Sequence, residues 1–358
     1  MVNLSDGPLI TNAFHGRDYE YSIQVNRWLL QPIGAWPNLS KTSRTQKLLS
    51  RILNVACHTL IILTILPCVL YILYEDESVT ARMKAVGPMS HWLMGELNYC
   101  CLLMRSSDIA HCVQHVEHDW QIVQNANDRK LMLKNAKIGR FVGCMAAVCM
   151  HSGILLYNTI TGFKKIAFHV GNDSYSMYLL PCPVYTNLLD VRFSPVNEIV
   201  FALQFLSGFI VTSVTVGACG LAAVLAMHAC GQLNVVMARL NELVDTREEE
   251  KREGTQVAQR KLGFIVEHHL RTLSLMEYIE KVMNKICLVE LVGCTMNMCM
   301  LKYYFLTEKS KEVLVIYAII YVSMVFNIFI FCYIGEIIQE QVFKTSFAYL
   351  NMIRTITM

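Results

Sequence analysis

"IVFALQFLSGFIVTSVTVGACGLAAVLAM", from Ile199 to Met227, contains no Asp, Glu, Lys or Arg. A helix that crosses a bilayer needs about 20 mostly apolar residues, and this run exceeds that. Five other segments read the same way: roughly Ile52 to Tyr74, Met83 to Met104, Phe141 to Ile160, Met283 to Leu306 and Val313 to Ile334. Backbone groups in lipid must satisfy one another, so all six are expected to be helices. The expected fold class is an all-α polytopic membrane protein with six transmembrane helices. The second and fifth runs are the least pure, with Glu96 in one and Lys285 and Glu290 in the other.

Composition agrees with the runs. The 358 residues are 54% hydrophobic and 16% charged, with a mean hydropathy of +0.38. Soluble domains carry about 25% charged residues. The net charge of +3 is spread out, which argues against a nucleic-acid-binding face. The first 50 residues lack the short apolar core and cleavage site of a secretory signal, so the first span is expected to act as its own insertion signal. Most of the fourteen cysteines lie in apolar runs and no CxxC pair occurs. Thiols in such surroundings behave as small hydrophobes, and no metal or redox role is expected of them.

Basic residues set the expected orientation. The segment before the first span holds six Lys and Arg, the connection 105–140 six, and the connection 228–282 eight. The other three connections hold seven together. Both chain ends are therefore expected on the cytosolic side. Asn172, in the sequon Asn-Asp-Ser, then falls outside and is a glycosylation candidate, whereas the sequons at Asn3 and Asn38 fall inside. The long inner connections carry helical periodicity, and "TREEEKREGTQ" reads as a charged linker between two of their elements. The expected organisation is a cytosolic segment 1–51, a six-span bundle 52–336 with helical cytosolic loops at 105–140 and 228–282, and a tail 337–358. No repeat and no second domain is visible.

Several constellations bear on chemistry. In "HCVQHVEHDW", His111, His115 and His118 fall on one helical face beside Asp119. That is a zinc-like spacing, but without a second ligand cluster an amphipathic helix with a His-rich face is the plainer reading. His268 and His269 are neighbours and point apart. Glu290 is ionisable inside a span, which costs about 2.5–3.5 kcal/mol on insertion scales; it either serves an ion path or assembly contact, or pairs with Lys285. Glu96, near Asn98, reads likewise. Trp92, Tyr157, Phe205, Phe209, Tyr317 and Tyr321 lie in the outer halves of the spans. They are the candidate ligand-binding residues of a pocket for a small apolar molecule; bundle packing and an interfacial aromatic belt are the alternative. No Gly-rich phosphate loop, GxSxG elbow or HExxH motif is present, so no catalytic residue, no metal site and no cofactor is expected.

Longer stretches carry a family resemblance. "NRWLLQPIGAWP" (Asn26 to Pro37) resembles the N-terminal signature of insect odorant receptors. "EHDWQIVQNANDRKLMLKNAKIGR" resembles their second cytosolic connection as found in ants, bees and wasps. "YLLPCPVY", "SPVNEIVFALQF", "HACGQLNVVMARLNELV", "EHHLRTLSLMEYIEKVMNKICLVELVGCTMNMCMLKYYFLTE" and "FNIFIFCYIGE" continue the match in order. The resemblance implies a tuning subunit in the plasma membrane of an olfactory neuron dendrite, with a cytosolic N-terminus. It also implies a heterotetrameric odorant-gated cation channel formed with a shared coreceptor, with cytosolic helices making most subunit contacts. Its ligand would be a small hydrophobic, volatile or cuticular-type odorant bound in the outer part of the bundle, and a seventh helix would line the pore. A six-span transporter or membrane-embedded enzyme is the alternative, but neither inverted repeats nor an acid–base cluster favours it.

The resemblance also exposes a gap. In the family an anchor helix and most of the pore-lining helix follow "CYIGE…EQ", and the chain then ends in something close to "KTSFAYLNMLRT". Here Gln341 runs straight into "VFKTSFAYLNMIRT". The two flanks resemble the family and the middle is missing. The tail 337–358, with Lys344 and Arg354, is too polar to span, so it is expected to stay on the cytosolic side as a remnant of the seventh-helix region.

Overall fold

The computed structural model describes residues 15–39, 42–170, 173–249 and 255–357. Eight helices and one hairpin follow in order: α1 His15–Leu30, α2 Arg44–Tyr74, α3 Val79–Met104, α4 Ser106–Ile122, α5 Ala126–Phe163, β1 Lys165–Val170, β2 Asp173–Tyr178, α6 Val196–Glu249, α7 Thr255–Thr307 and α8 Lys311–Thr357. The all-α bundle read from the apolar runs is the architecture observed. Asn172 lies outside the described residues.

The helices begin where local chemistry allows. Ser43 caps α2: its hydroxyl accepts from the backbone N–H of Gln46, and the Gln46 side chain accepts from the Ser43 N–H. This reciprocal box satisfies two donors that a helix start leaves free. Asn125 caps α5 and Ser78 caps α3.

α6 is the central helix. Every residue from Val214 to Leu233 is buried, and a helix that is apolar all round belongs in a core. Small residues let its neighbours approach. At the crossing with α5, a Cβ at Gly143 would lie 3.7 Å from the Cα of Gly220, and one at Gly139 would lie 3.2 Å from the carbonyl oxygen of Ala223. Larger side chains at either site would push the two helices apart.

At about 1.5 Å per residue, α6, α7 and α8 are roughly 70–80 Å long, against about 30 Å of bilayer core. Their far parts, with α1 and α4, form a packed layer beyond one end of the bundle. The connections 105–140 and 228–282 are therefore mainly helix. α6 is described as far as Glu249 and α7 from Thr255; the middle of the charged stretch read as a linker, 250–254, lies outside the described residues.

Among the described residues five helices, α2, α5, α6, α7 and α8, are long and apolar enough to cross a membrane, against six expected. The difference is α3, which covers the expected second span but carries Ser90, His91, Glu96 and Asn98. These groups face inward: Ser90 meets Asn297, and Asn98 meets Glu290. The polarity that lowers its hydropathy serves the interior of the bundle.

α8 runs unbroken through residues 337–357. This stretch continues the sixth run as the same helix and packs beside the ends of α6 and α7. Met352 sits with Val236, Leu240, Leu243 and Ile265, and the Gln341 amide donates to Asn234 at 2.8 Å.

Candidate ligand cavity

At the opposite end of the bundle lies a cavity of about 540 Å³, walled by α3, α5, α7, α8 and the segment after β2. Its lining is largely apolar, with Met150, Ile154, Leu301, Ile320 and Met324 among the contributors. Aromatic side chains shape it, and Trp92, Tyr157 and Tyr304 are fixed by their polar tips. Trp92 is 1% exposed; its indole N–H donates to the Ser207 hydroxyl at 2.8 Å, and that hydroxyl meets Thr64 at 2.8 Å. The Tyr157 hydroxyl donates to the carbonyl of Pro181 at 3.1 Å. Anchored rings of this kind lose little freedom when a ligand arrives.

Tyr304 holds the wall in a less common way. Its hydroxyl donates to the Met83 carbonyl at 2.8 Å and accepts from the Gly87 N–H at 2.8 Å. Those are the two groups that an undisturbed helical turn would join to each other. The hydroxyl is thus inserted in the α3 ladder one residue before Pro88, where the helix already lacks a donor. Gly87 is required there, because an added Cβ would lie 2.7 Å from a ring carbon of Tyr304.

The polar lining is sparse. His91, Thr212, Asn297 and Ser323 reach the cavity, and the Nδ1 of His91 is buried without a partner. Lys84 and Glu308 also line it and form an ion pair at 3.1 Å. Backbone donation from Ser310 holds the Glu308 carboxyl below its usual range, against the effect of burial and with help from Lys84.

Three of the six candidate aromatics, Trp92, Tyr157 and Tyr317, meet at this cavity. The other three do not line it. Phe205 and Phe209 stack on each other with centroids 5.7 Å apart, and Phe209 also faces His151. Tyr321 packs against the cluster of Leu301, Tyr304 and Met324. Tyr304, Tyr71, His91 and the Lys84–Glu308 pair were not singled out from the sequence. Tyr304 was hidden in a Tyr303–Tyr304 doublet that reads as interfacial belt, and the ion pair joins positions 224 residues apart.

The other constellations resolve differently. Asp119 accepts from His115 at 3.2 Å, from His228 at 2.8 Å and from the Arg271 guanidinium. Burial raises its carboxyl, but the hydrogen bonds from His115 and His228 more than offset this and hold it below the ordinary carboxylate range. His111 instead stacks on Tyr278 at 4.0 Å, and His118 is exposed. The three histidines of that face therefore do not converge, and Asp119 is a tie between α4, α6 and α7. Glu290 is buried between the amides of Asn98 at 2.5 Å and Asn327 at 2.7 Å, whereas Lys285 is exposed.

The fold has solved counterparts. The insect olfactory receptor OR5 from Machilis hrabei superposes with a TM-score of 0.72 at 16% identity, over 93% of this chain and 83% of that one. The structure of the same receptor in complex with eugenol gives a TM-score of 0.71 at 15% identity, with the same coverage. At such identity the likeness establishes the fold. No curated protein sequence matches the chain. The family model described as 7tm Odorant receptor matches residues 78–349, well over half of the chain. The protein is therefore a member of the 7tm odorant receptor family, a receptor and not an enzyme.

Proposed function

We propose that this chain is an odorant-receptor tuning subunit that binds a small, largely apolar ligand in the cavity beside Trp92, Tyr157, Tyr304 and Tyr317. The observation that carries this is the cavity itself: about 540 Å³, lined mostly by apolar side chains, with a few polar groups at fixed positions. Small-molecule sites have this size and this balance. The eugenol complex of the Machilis hrabei receptor makes a compact aromatic alcohol a reasonable first probe.

The same reading places the chain in the plasma membrane, with the cavity on the outer side and the N-terminus in the cytosol, following the bias of basic residues. It assembles with a shared coreceptor through the layer at the far end. What supports that contact is an apolar stripe on α8, with Phe343, Phe347, Leu350 and Ile353 all more than half exposed. The missing stretch between Gln341 and Val342 leaves this chain without a pore-lining helix of its own, so we expect it to insert without conducting.

Ligand binding to the purified full chain in lipid nanodiscs, by tryptophan fluorescence or calorimetry against a panel of small volatiles, tests the first claim. Saturable binding that weakens in Tyr157→Ala is expected; saturable binding unaffected by any cavity substitution would refute it. Co-expression with the coreceptor tests the second. Current above that of coreceptor alone would refute it, and restoring a family-like segment between Gln341 and Val342 is expected to bring current back.

A further inference from the structure

One turn along α3 from Trp92, away from the cavity, three side chains of different chemistry converge. His58 comes from α2; Glu96 and Cys100 come from α3, four residues apart and so on one face. The His58 Nδ1 lies 2.6 Å from a Glu96 carboxylate oxygen, and the Cys100 sulfur lies 3.8 Å from the same oxygen. All three ligand atoms fall within 4.8 Å of one another. The His58 ring is held by the Tyr99 ring at 4.5 Å. The second carboxylate oxygen of Glu96 is buried with no hydrogen-bond partner. A buried acceptor left without a donor is unfavourable, so something at this site is expected to satisfy it.

We propose that His58, Glu96 and Cys100 form a three-ligand site for an exchangeable Zn²⁺ ion that clamps α2 to α3 below the cavity. An imidazole, a carboxylate and a thiolate form a donor set suited to zinc and poorly suited to magnesium or calcium. Zinc bonds of about 2.0–2.3 Å in tetrahedral geometry put ligand atoms roughly 3.3–3.6 Å apart. The His58–Glu96 distance must open by less than about 1 Å to reach that spacing, which rotation about side-chain bonds supplies. Charge also fits: a dication with one carboxylate and one thiolate is neutral, which limits the penalty of holding it in a low-dielectric bundle.

Binding has a defined proton balance. Cys100 releases its thiol proton to solvent and binds as thiolate. His58 binds as neutral imidazole through Nδ1, with its N–H on Nε2. Three protein ligands leave a fourth position for water, as in sites that exchange rather than permanently fold the chain. The partial exposure of His58 and Glu96, 27% and 15% of their side chains, leaves room for that water. Residues from two helices make up the set, which explains why the cysteine spacing gave no hint of it.

The test uses the full chain in nanodiscs, with the exposed Cys299 and Cys332 replaced by Ala to lower background. Co²⁺ is titrated first and then displaced with Zn²⁺. One equivalent of Co²⁺ with a thiolate-to-cobalt charge-transfer band, displaced by Zn²⁺ and not by Ca²⁺, is expected. Cys100→Ser should abolish the band, and His58→Gln should weaken binding at least about tenfold. Cys101→Ala, on the next face, should leave both unchanged. The two ligand variants sit on different helices, so a folding defect in one leaves the other to decide. A band that survives Cys100→Ser, affinity unchanged in His58→Gln, or no stoichiometric band in the parent chain would each overturn the site.

Discussion

The two ends of the bundle are built on opposite plans. At the far end, side chains from three helices close around one charge: Asp119 is shared by His115, His228 and Arg271. Nearby, Arg129 pairs with Asp18, Arg239 with Asp128 and Lys281 with Asp108. At the cavity end the helices stand apart around about 540 Å³, and the polar groups hold walls in place rather than fill the space. One end ties α1, α4, α5, α6 and α7 together; the other leaves room. The comparison teaches that a single long helix, α6, can serve both, with small residues where helices must meet and Thr212 where the cavity begins.

If the far end is structural, its loss should be the most damaging. Asp119→Ala leaves Arg271, His115 and His228 without their acceptor. Breaking a buried pair in this way costs about 3–5 kcal/mol, read as a lower unfolding midpoint in detergent with ligand sensitivity of the surviving protein unchanged. The same carboxyl sets a pH dependence. Its folded-state value lies below the ordinary 3.8, so the stability it supplies is complete above about pH 4 and is lost as pH falls through the folded value. Acid melts should show a smaller loss of stability with falling pH in Asp119→Ala than in the parent chain.

The wall of the cavity comes next. Tyr304→Phe removes the hydroxyl that bridges Met83 and Gly87, at about 1–3 kcal/mol. Unlike the Asp119 change, it should also alter ligand affinity, because α3 is free to close its turn and shift Trp92 and His91. The aromatic pairs sharpen the contrast further. Tyr157→Ala and Trp92→Ala should weaken ligand binding by about 1–3 kcal/mol. Phe205→Ala and Phe209→Ala, which remove rings stacked outside the lining, should leave affinity within twofold. The smallest effect belongs to the Lys84–Glu308 pair. Part-exposed pairs contribute about 0–1 kcal/mol, so Lys84→Ala should shift stability slightly and only at low salt.

How much of this was legible beforehand follows from the range of each signal. Apolar runs are local, so the spans now in α2, α5, α6, α7 and α8 were readable. Where a helix continues past the apolar run was less so, because α6 runs on to Glu249 through mixed residues. The short hairpin β1–β2 was not assigned, since strands of six residues carry little pattern. For the cavity, one-dimensional position separated aromatics in the outer halves from the rest. It could not say that Phe205 and Phe209 would stack on each other while Tyr157 and Tyr317 faced the same space. Tyr304, the His58–Glu96–Cys100 group and the partners of Asp119 depend on contacts between positions far apart in the chain, which no single sequence displays.

The central claim is that this cavity is where the ligand sits. An electron cryo-microscopy structure of the full chain in nanodiscs, saturated with the tightest binder from the volatile panel, tests it directly. Ligand density enclosed by Trp92, Tyr157, Tyr304 and Tyr317 is the expected result. Density at another site, with this cavity closed or occupied only by lipid while binding is saturated, would contradict it.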